Sequence, residues 1–425
     1  MSMLRKNLLQ LVFSGAYLLR WNDKLRPTEL WEIDKQGHKM LLAFMLWQEQ
    51  TRDLAVERAV ALGQEVIEGG LFDYLYRMII TDLKPPVFYS IKKNPAHYKE
   101  LTAYVLRCLE PAVKPLGEEF WGRLCAWHTQ DTPQAAPQYG YGAGGSLARR
   151  ILDAAHLYAS QWEFKLIGPL NPFDEEIPDI AATFTRQLAG FGDIAGMDKV
   201  LDNQSALGKM ANLCGQLRFQ IRWTKAPRIP ATSVLGHMFL VATYSYFASL
   251  VVGACQARRN NNYFCGLLHD LPELLTRDII TPVKRSVATL PELIKDYENQ
   301  ELERRIFAPL REEGYTRLVD AMHYHLGLYT GSEFDQSIRL EDGKCVRIPD
   351  FETLHREYNN DCYNPRDGAL VKNCDLLAAF MEAHSSICNG VASPHLLEAQ
   401  ARLRSELMHK GVPALHLDAL LGDFD

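Results

Sequence analysis

One set of landmarks occurs twice in this chain, in the same order, and that repeat limits the fold more than anything else in the sequence. NLLQLVFSGAYLLRW at 7–21 resembles KMANLCGQLRFQIRW at 209–223, and both end in Arg-Trp. A Gly-His dipeptide follows each, Gly37-His38 and Gly236-His237, with the His 17 and 14 residues after the Trp. TDLKPPVF (81–88) matches RDIITPVK (277–284) in its Asp, Pro and Val. ILDAAHLYASQWEF (151–164) matches LVKNCDLLAAFMEA (370–383). Any one landmark alone is weak; four in one order predict a duplicated unit.

The unit is helical. LLAFMLWQEQTRDLAVERAVALGQEVI (41–67), VLGHMFLVATYSYFASLVVGACQA (234–257) and LVKNCDLLAAFMEAHSSI (370–387) place apolar residues three and four apart, the spacing of a buried helix stripe. Strand alternation is scarce; KCVRI (344–348) alone suggests part of a small hairpin. Pro, Gly and Gln make 129–146 a loop, and GPLNPFDEEIPD (168–179) is the preferred junction between units. A chain of 425 residues exceeds one compact helical core. The expectation is an all-α protein of two tandem helical domains. They span 1–170 and 205–425, joined by a linker at 171–204, with an insertion at about 326–368 in the second.

Composition excludes several classes. Hydrophobic residues make up 47% and charged residues 23%, an ordinary globular balance. The net charge of −6 gives no broad basic field, so no dedicated nucleic-acid binding is expected. Nine cysteines, none in a CxxC pair, fit neither a metal finger nor a disulfide framework and point to a reducing cytoplasm. The basic, apolar N-terminus imitates a signal peptide, but Gln10, Ser14 and Arg20 interrupt it. No membrane association is expected, since no run of about 18 uninterrupted apolar residues occurs.

Chemistry concentrates in the second half. An apolar run, YFCGLL, leads into His269-Asp270, with Glu273 four residues after His269 and hence on the same helical face, and Asp278 before a Thr-Pro turn. His237 lies upstream on a very apolar helix and Asp375 downstream on another. A bare His-Asp pair is expected about once by chance in a chain with 13 histidines, so the context carries the reading. Buried Asp and His cost free energy unless paired or ligated. Two imidazoles and two carboxylates suit one divalent ion, with Mn²⁺, Co²⁺, Fe²⁺, Zn²⁺ and Mg²⁺ all open. Such an ion polarises a phosphoryl oxygen and acidifies water, and Glu273 is placed to handle the proton.

The order His237, His269-Asp270, Asp375 resembles the HD superfamily of metal-dependent phosphohydrolases. It is similar in particular to the bacterial 5'-deoxynucleotidases: an Arg-Trp pair (Arg222, Trp223) before the first ligand, HDxxE with a later Asp, a TPVK turn (Thr281 to Lys284), and LVKxxD (Leu370 to Asp375). The resemblance covers about 205–400. It implies HD-like helical domains, metal ligation by those four residues, and hydrolysis of a phosphate ester of a small substrate, a nucleotide by analogy. It also implies that Arg222 holds phosphate, Trp223 packs near the sugar, Glu273 acts as general acid or base, and Asp278 lies by the substrate. Lys284 joins Arg222 and Trp223 as a substrate-binding residue; with Arg285 it is a candidate to reach a second phosphate. The family's acidic lead into the first ligand is replaced by Leu235-Gly236.

The first half reads as degenerate. His38 keeps the first-ligand position, Asp73-Tyr74 replaces the HD pair, Arg77 replaces the Glu, and His156 replaces the last Asp. Three functions stay open: a nucleotidase-like phosphomonoesterase, a phosphodiesterase or pyrophosphohydrolase of a signalling nucleotide, and a non-catalytic regulatory or scaffolding protein, any of them able to self-associate. Each site residue also has a plain alternative: a satisfied core His, a solvated Glu273, an Arg222 stem packed on Trp223. His323 and His325, two apart on a helix, project about 200° apart and suit joint ligation poorly. GYGAGG (140–145) lacks the Lys-Ser/Thr of a phosphate loop, and ENQELERR (298–305) is a solvated helix face.

Overall fold

The structure is a computed structural model that describes residues 2–129, 146–276, 287 and 289–425. GYGAGG, Asp278 and the Thr281 to Lys284 turn with Arg285 lie outside the described residues. Helices dominate throughout. The first half runs α1 Lys6–Phe13, α2 Glu32–Gln50, α3 Val56–Ile80, α4 Pro85–Lys93, α5 Pro95–Val113, α6 Glu118–Thr129 and α7 Leu147–Ile167. The stretch 171–204, expected as a linker, holds α8 Glu176–Ala189 and α9 Met197–Leu201, and buries Leu188, Phe191, Ile194, Met197 and Val200 in the core. The second half opens with α10 Ala206–Gln216, α11 Val234–Val251, α12 Gln256–Leu268 and the short α13 Glu273–Thr276. Helix Gly368–Cys388 follows the insertion and carries Asp375.

The two halves share one apolar core. α2 packs along α11 and α12 packs on α3, so α11, the most apolar helix of the second half, lies against the first half. Every residue of α11 from Val234 to Ser249 is buried. A helix apolar on all sides belongs inside a fold. By length and composition α11 could cross a membrane, yet 89% of its apolar window is buried here by protein. The apolar N-terminal segment is α1, with Leu8, Leu9, Val12 and Phe13 in the same core.

The duplication is visible in the backbone. An isolated antiparallel bridge pairs Leu19 with Trp31 in the first half and Ile221 with Ser233 in the second. Within each bridged clip Arg20 N donates to Leu30 O (2.8 Å) and Arg222 N to Thr232 O (3.0 Å). The following Trp, Trp21 or Trp223, has positive φ, 53° and 61°, an uncommon state for a bulky residue that the clip imposes twice. Helix crossings repeat as well. A Cβ on Gly70 would lie 2.4 Å from Met40 Sδ, and one on Gly266 would lie 2.9 Å from Ala242 N. Met40 and Ala242 hold the same place relative to the two bridges, so Gly70 and Gly266 correspond.

The insertion contains the one hairpin among the described residues, β1 Gln336–Arg339 paired antiparallel with β2 Cys345–Ile348. Ile338, Ile348 and Leu354 form its own small core. Buried Arg258 of α12 clamps it by a 2.5 Å bond to Asp367, whose carboxylate also caps helix Gly368–Cys388 through Leu370 N at 3.1 Å. One ion pair thus braces the two helices that carry His269-Asp270 and Asp375.

Candidate metal centre

The clip and α11 set the first ligand. Ser233 caps α11, its Oγ accepting from Gly236 N at 3.0 Å, a preferred N-cap arrangement. His237 falls in the first turn and is fully buried. Its Nε2 lies 3.0 Å from Asp375 Oδ1 and 3.9 Å from Asp270 Oδ2, while Nδ1 lies 3.3 Å from Glu382 Oε1. α12 ends at Leu268, which leaves His269 and Asp270 at a buried helix terminus. His269 Nδ1 meets Gly266 O at 2.8 Å, which turns Nε2 toward Asp270 Oδ2 at 3.2 Å. Donor atoms of His237, His269 and Asp270 lie within 4.8 Å of one another. Asp375 joins through His237, and its other oxygen accepts from Lys372 Nζ at 2.7 Å.

The electrostatics are those of a place built for positive charge. Burial favours neutral Asp375 and Asp270, but Lys372 beside the first and His269 with Arg222 beside the second outweigh it and keep both ionised. Burial likewise opposes a charged His269, yet Asp270 and Asp375 raise it to about 9. In the absence of a metal a proton shared by His269 and Asp270 therefore balances the carboxylates. Two imidazole Nε2 atoms with the Asp270 carboxylate, and the ionised Asp375 beside His237, are a donor set that suits a divalent transition ion or Mg²⁺.

Arg222 and Trp223 sit beside this group. Arg222 Nη1 lies 3.1 Å from Asp270 Oδ2, and Arg222 Nε lies 3.6 Å from Glu382 Oε2. Trp223 Nε1 donates to Glu382 Oε2 at 2.7 Å, and the Arg228 guanidinium lies 5.5 Å over its ring. Glu382 is the residue that sequence reasoning missed. It is fully buried and also accepts from Thr232 Oγ1 at 2.7 Å. Burial disfavours its charge, but Arg222, His237 and Arg228 hold it ionised. The available signal was its spacing, seven residues or two helical turns after Asp375, repeated by Glu163 after His156. Lys372, inside LVKxxD, gains its role only from the fold, as the donor to Asp375.

Two placements differ from expectation. Glu273 does not share a continuous helix with His269: the chain turns at 269–272, through Pro272, and Glu273 starts α13. Its N–H donates to Asp270 O at 3.0 Å across that turn, and it is buried. His38 does not hold the first-ligand position. Equal clip lengths put Lys35 opposite His237, while His38 faces Ala211 O at 2.9 Å and Arg218 Nη2 at 3.2 Å between the halves. The missing acidic lead before His237 also has a reason. A Cβ on Gly236 would lie 2.7 Å from Asp34 Oδ1, and Ser233 Oγ donates to that same oxygen at 2.7 Å. The first half thus fills the space with its own carboxyl group, which burial pushes up to about 6. His323 and His325 do diverge: His323 packs on Phe307 and Tyr329, His325 on Phe44 and Phe264.

The family model described as HD domain matches residues 214–404. That segment contains the clip, α11, α12, the insertion and Asp375, and the match supports the HD-domain superfamily for this half. HD domains are in general metal-dependent phosphohydrolases that bind divalent ions. A search of curated proteins finds no match to the chain.

Proposed function

We propose that the second half is a metal-dependent phosphohydrolase that cleaves a phosphate monoester of a small substrate, a nucleoside monophosphate in the manner of the bacterial 5'-deoxynucleotidases. The observation that carries this reading is the convergence of His237, His269, Asp270 and Asp375 beside the Arg222 guanidinium. A structural ion would need no arginine at its edge; a phosphate ester would.

His237, His269, Asp270 and Asp375 would hold one divalent ion, which when bound supplies Lewis acidity toward a phosphoryl oxygen and toward water. Glu382 beside His237 Nδ1 and Gly266 O at His269 Nδ1 leave both Nε2 atoms as the nitrogens that would hold the ion. Lys372 holds Asp375 in place. Arg222, anchored by Glu382, directs positive charge at the phosphate and stabilises the negative charge that develops as the ester bond breaks. Trp223, fixed by the same Glu382, offers a flat apolar face to the sugar. Glu273 relays the proton between water and the leaving oxygen. Asp278 and Lys284 complete the substrate side of this proposal.

Phosphate release from a panel of ribo- and deoxyribonucleoside monophosphates, with Mn²⁺, Co²⁺ or Mg²⁺ added to chelator-treated protein, tests the reading. Metal-dependent release is expected. Release from cyclic or diphosphate substrates alone would favour the diesterase or pyrophosphohydrolase reading. No release with a full complement of metal would leave a scaffold.

A further inference from the structure

The pocket of the first half that matches the metal centre has had its charge inverted. Trp21 Nε1 donates to Glu163 Oε2 at 2.9 Å as Trp223 does to Glu382, so His156, seven residues before Glu163, matches Asp375. Lys35 matches His237, and its Nζ bonds His156 Nδ1, as His237 meets Asp375. The correspondence of Gly70 with Gly266 puts Asp73 opposite His269, Tyr74 opposite Asp270 and Arg77 opposite Glu273. Four of these five replacements move the pocket toward positive charge. A divalent ion has no place there.

The Lys35 amine meets His156 as His237 meets Asp375. Lys35 is completely buried, and among the described residues no carboxylate lies within ion-pair distance of it. Glu32, which acts on it through space, is already held by Arg20 (2.7 Å), Gln36 (2.7 Å) and Arg77 (3.6 Å). Lys39, one turn further on α2 and also buried, lies 3.3 Å from Asp73, which shares itself with Trp127 Nε1 at 2.9 Å. The outer side chains reach solvent: side-chain exposure is 13% for Arg20, 23% for Arg77 and 32% for Asp73, against 14% for Arg222 and 19% for Asp270. A buried lysine without a counter-charge is costly. The surroundings register that cost: burial, then Arg20 and Lys39, lower Lys35, and burial, then Lys35, Lys39, Arg20 and Arg77, lower His156.

We infer that the first half binds a small phosphate-type anion, against Lys35, Lys39 and Arg77, in a pocket that has no metal and does no hydrolysis. The anion supplies the counter-charge that the replaced ligands no longer offer. Phosphate, free or at the end of a monoester, matches several converging N–H donors at this depth. The inference rests on the packing and charge of the first half and holds whether or not the second half is a hydrolase.

The experiment is calorimetric titration of inorganic phosphate, and separately of AMP, into the full chain carrying Asp270→Ala, with chelator present. One site per chain is expected. Lys35→Met and Arg77→Gln, each added to that background, are expected to weaken it about tenfold or more, the worth of one charge-assisted hydrogen bond, while Arg222→Ala leaves it in place. AMP binding tighter than phosphate marks a monoester pocket, and equal binding marks a pocket for the free anion. Because Arg77 is partly exposed, Arg77→Gln keeps the test valid if Lys35→Met misfolds. No phosphate or AMP binding to the Asp270→Ala chain overturns the inference. So does binding that Arg222→Ala abolishes and Arg77→Gln leaves untouched.

Discussion

The two halves share a scaffold and differ in what they put on it. The clip, its positive-φ Trp, the Arg before it and the buried Glu that anchors both recur: Arg20, Trp21 and Glu163 against Arg222, Trp223 and Glu382. The residues that would face an ion do not recur. The repeated parts are therefore what the fold needs to close each unit, and the unrepeated parts are where chemistry was kept or lost. The comparison also separates two roles of the Arg-Trp pair. Its recurrence in the half where Lys35, Asp73, Tyr74 and His156 replace the four candidate ligands points to a structural role. In the second half the same arginine also reaches Asp270, which adds a task to a structural residue.

The largest expected difference comes from removing a ligand. Asp270→Ala is expected to cut metal-dependent phosphate release by about 10²–10³-fold or more, the scale of losing a charge-stabilising group, and to strip the metal. His156→Ala, at the place matching Asp375, is expected to leave metal content unchanged. Equal loss of metal in both variants would break the asymmetry. Next is the anchoring glutamate. Glu382→Gln is expected to lower metal affinity about 10–100-fold, as for partners that orient a ligating His, measured by competition with a chromophoric chelator. Glu163→Gln is expected to lower the melting temperature with metal affinity unchanged, since Glu163 ties Arg20 to Arg218 across the halves.

Proton competition sharpens the same contrast. Asp270 and Asp375 raise His269 to about 9, so below that pH a metal must displace its proton. Affinity is expected to fall about tenfold for each pH unit below 9 and to level off above it. An affinity that does not change between pH 7 and 9 would mean that His269 is not the ligand that titrates. The smallest effect concerns the seam. Gly236→Ala is expected to destabilise the fold by about 1–3 kcal/mol, because its Cβ would press on Asp34. Pairing it with Asp34→Ala is expected to restore part of that loss; simple additivity would show that the two residues are not coupled.

Much of this was legible in the sequence. Helical spacing and the ordered landmarks pointed to a duplicated all-α chain, and KCVRI marked the second strand of the hairpin. His237, His269 and Asp270 lie within 4.8 Å of one another and Asp375 meets His237, a proximity that their buried polarity implied. What failed was register in the first half. Aligning the halves on Gly-His required unequal spacings after the Trp; keeping the spacing constant would have selected Lys35, the residue the clip puts there. A dipeptide carries less information than a loop whose hydrogen bonds set its length. The helical-face argument for Glu273 failed because Pro272 cannot continue α12. Glu382 was missed because an isolated buried Glu on an apolar helix has no motif, only the partners that the fold brings to it.

The account stands on a division: one metal, held by the second half alone. Metal analysis of the purified full chain, wild type beside Asp270→Ala and His156→Ala, tests that most directly. One divalent ion per chain in wild type and in His156→Ala, and none in Asp270→Ala, is the expected result. Two ions per chain, or an ion that survives Asp270→Ala and leaves with His156→Ala, would contradict it.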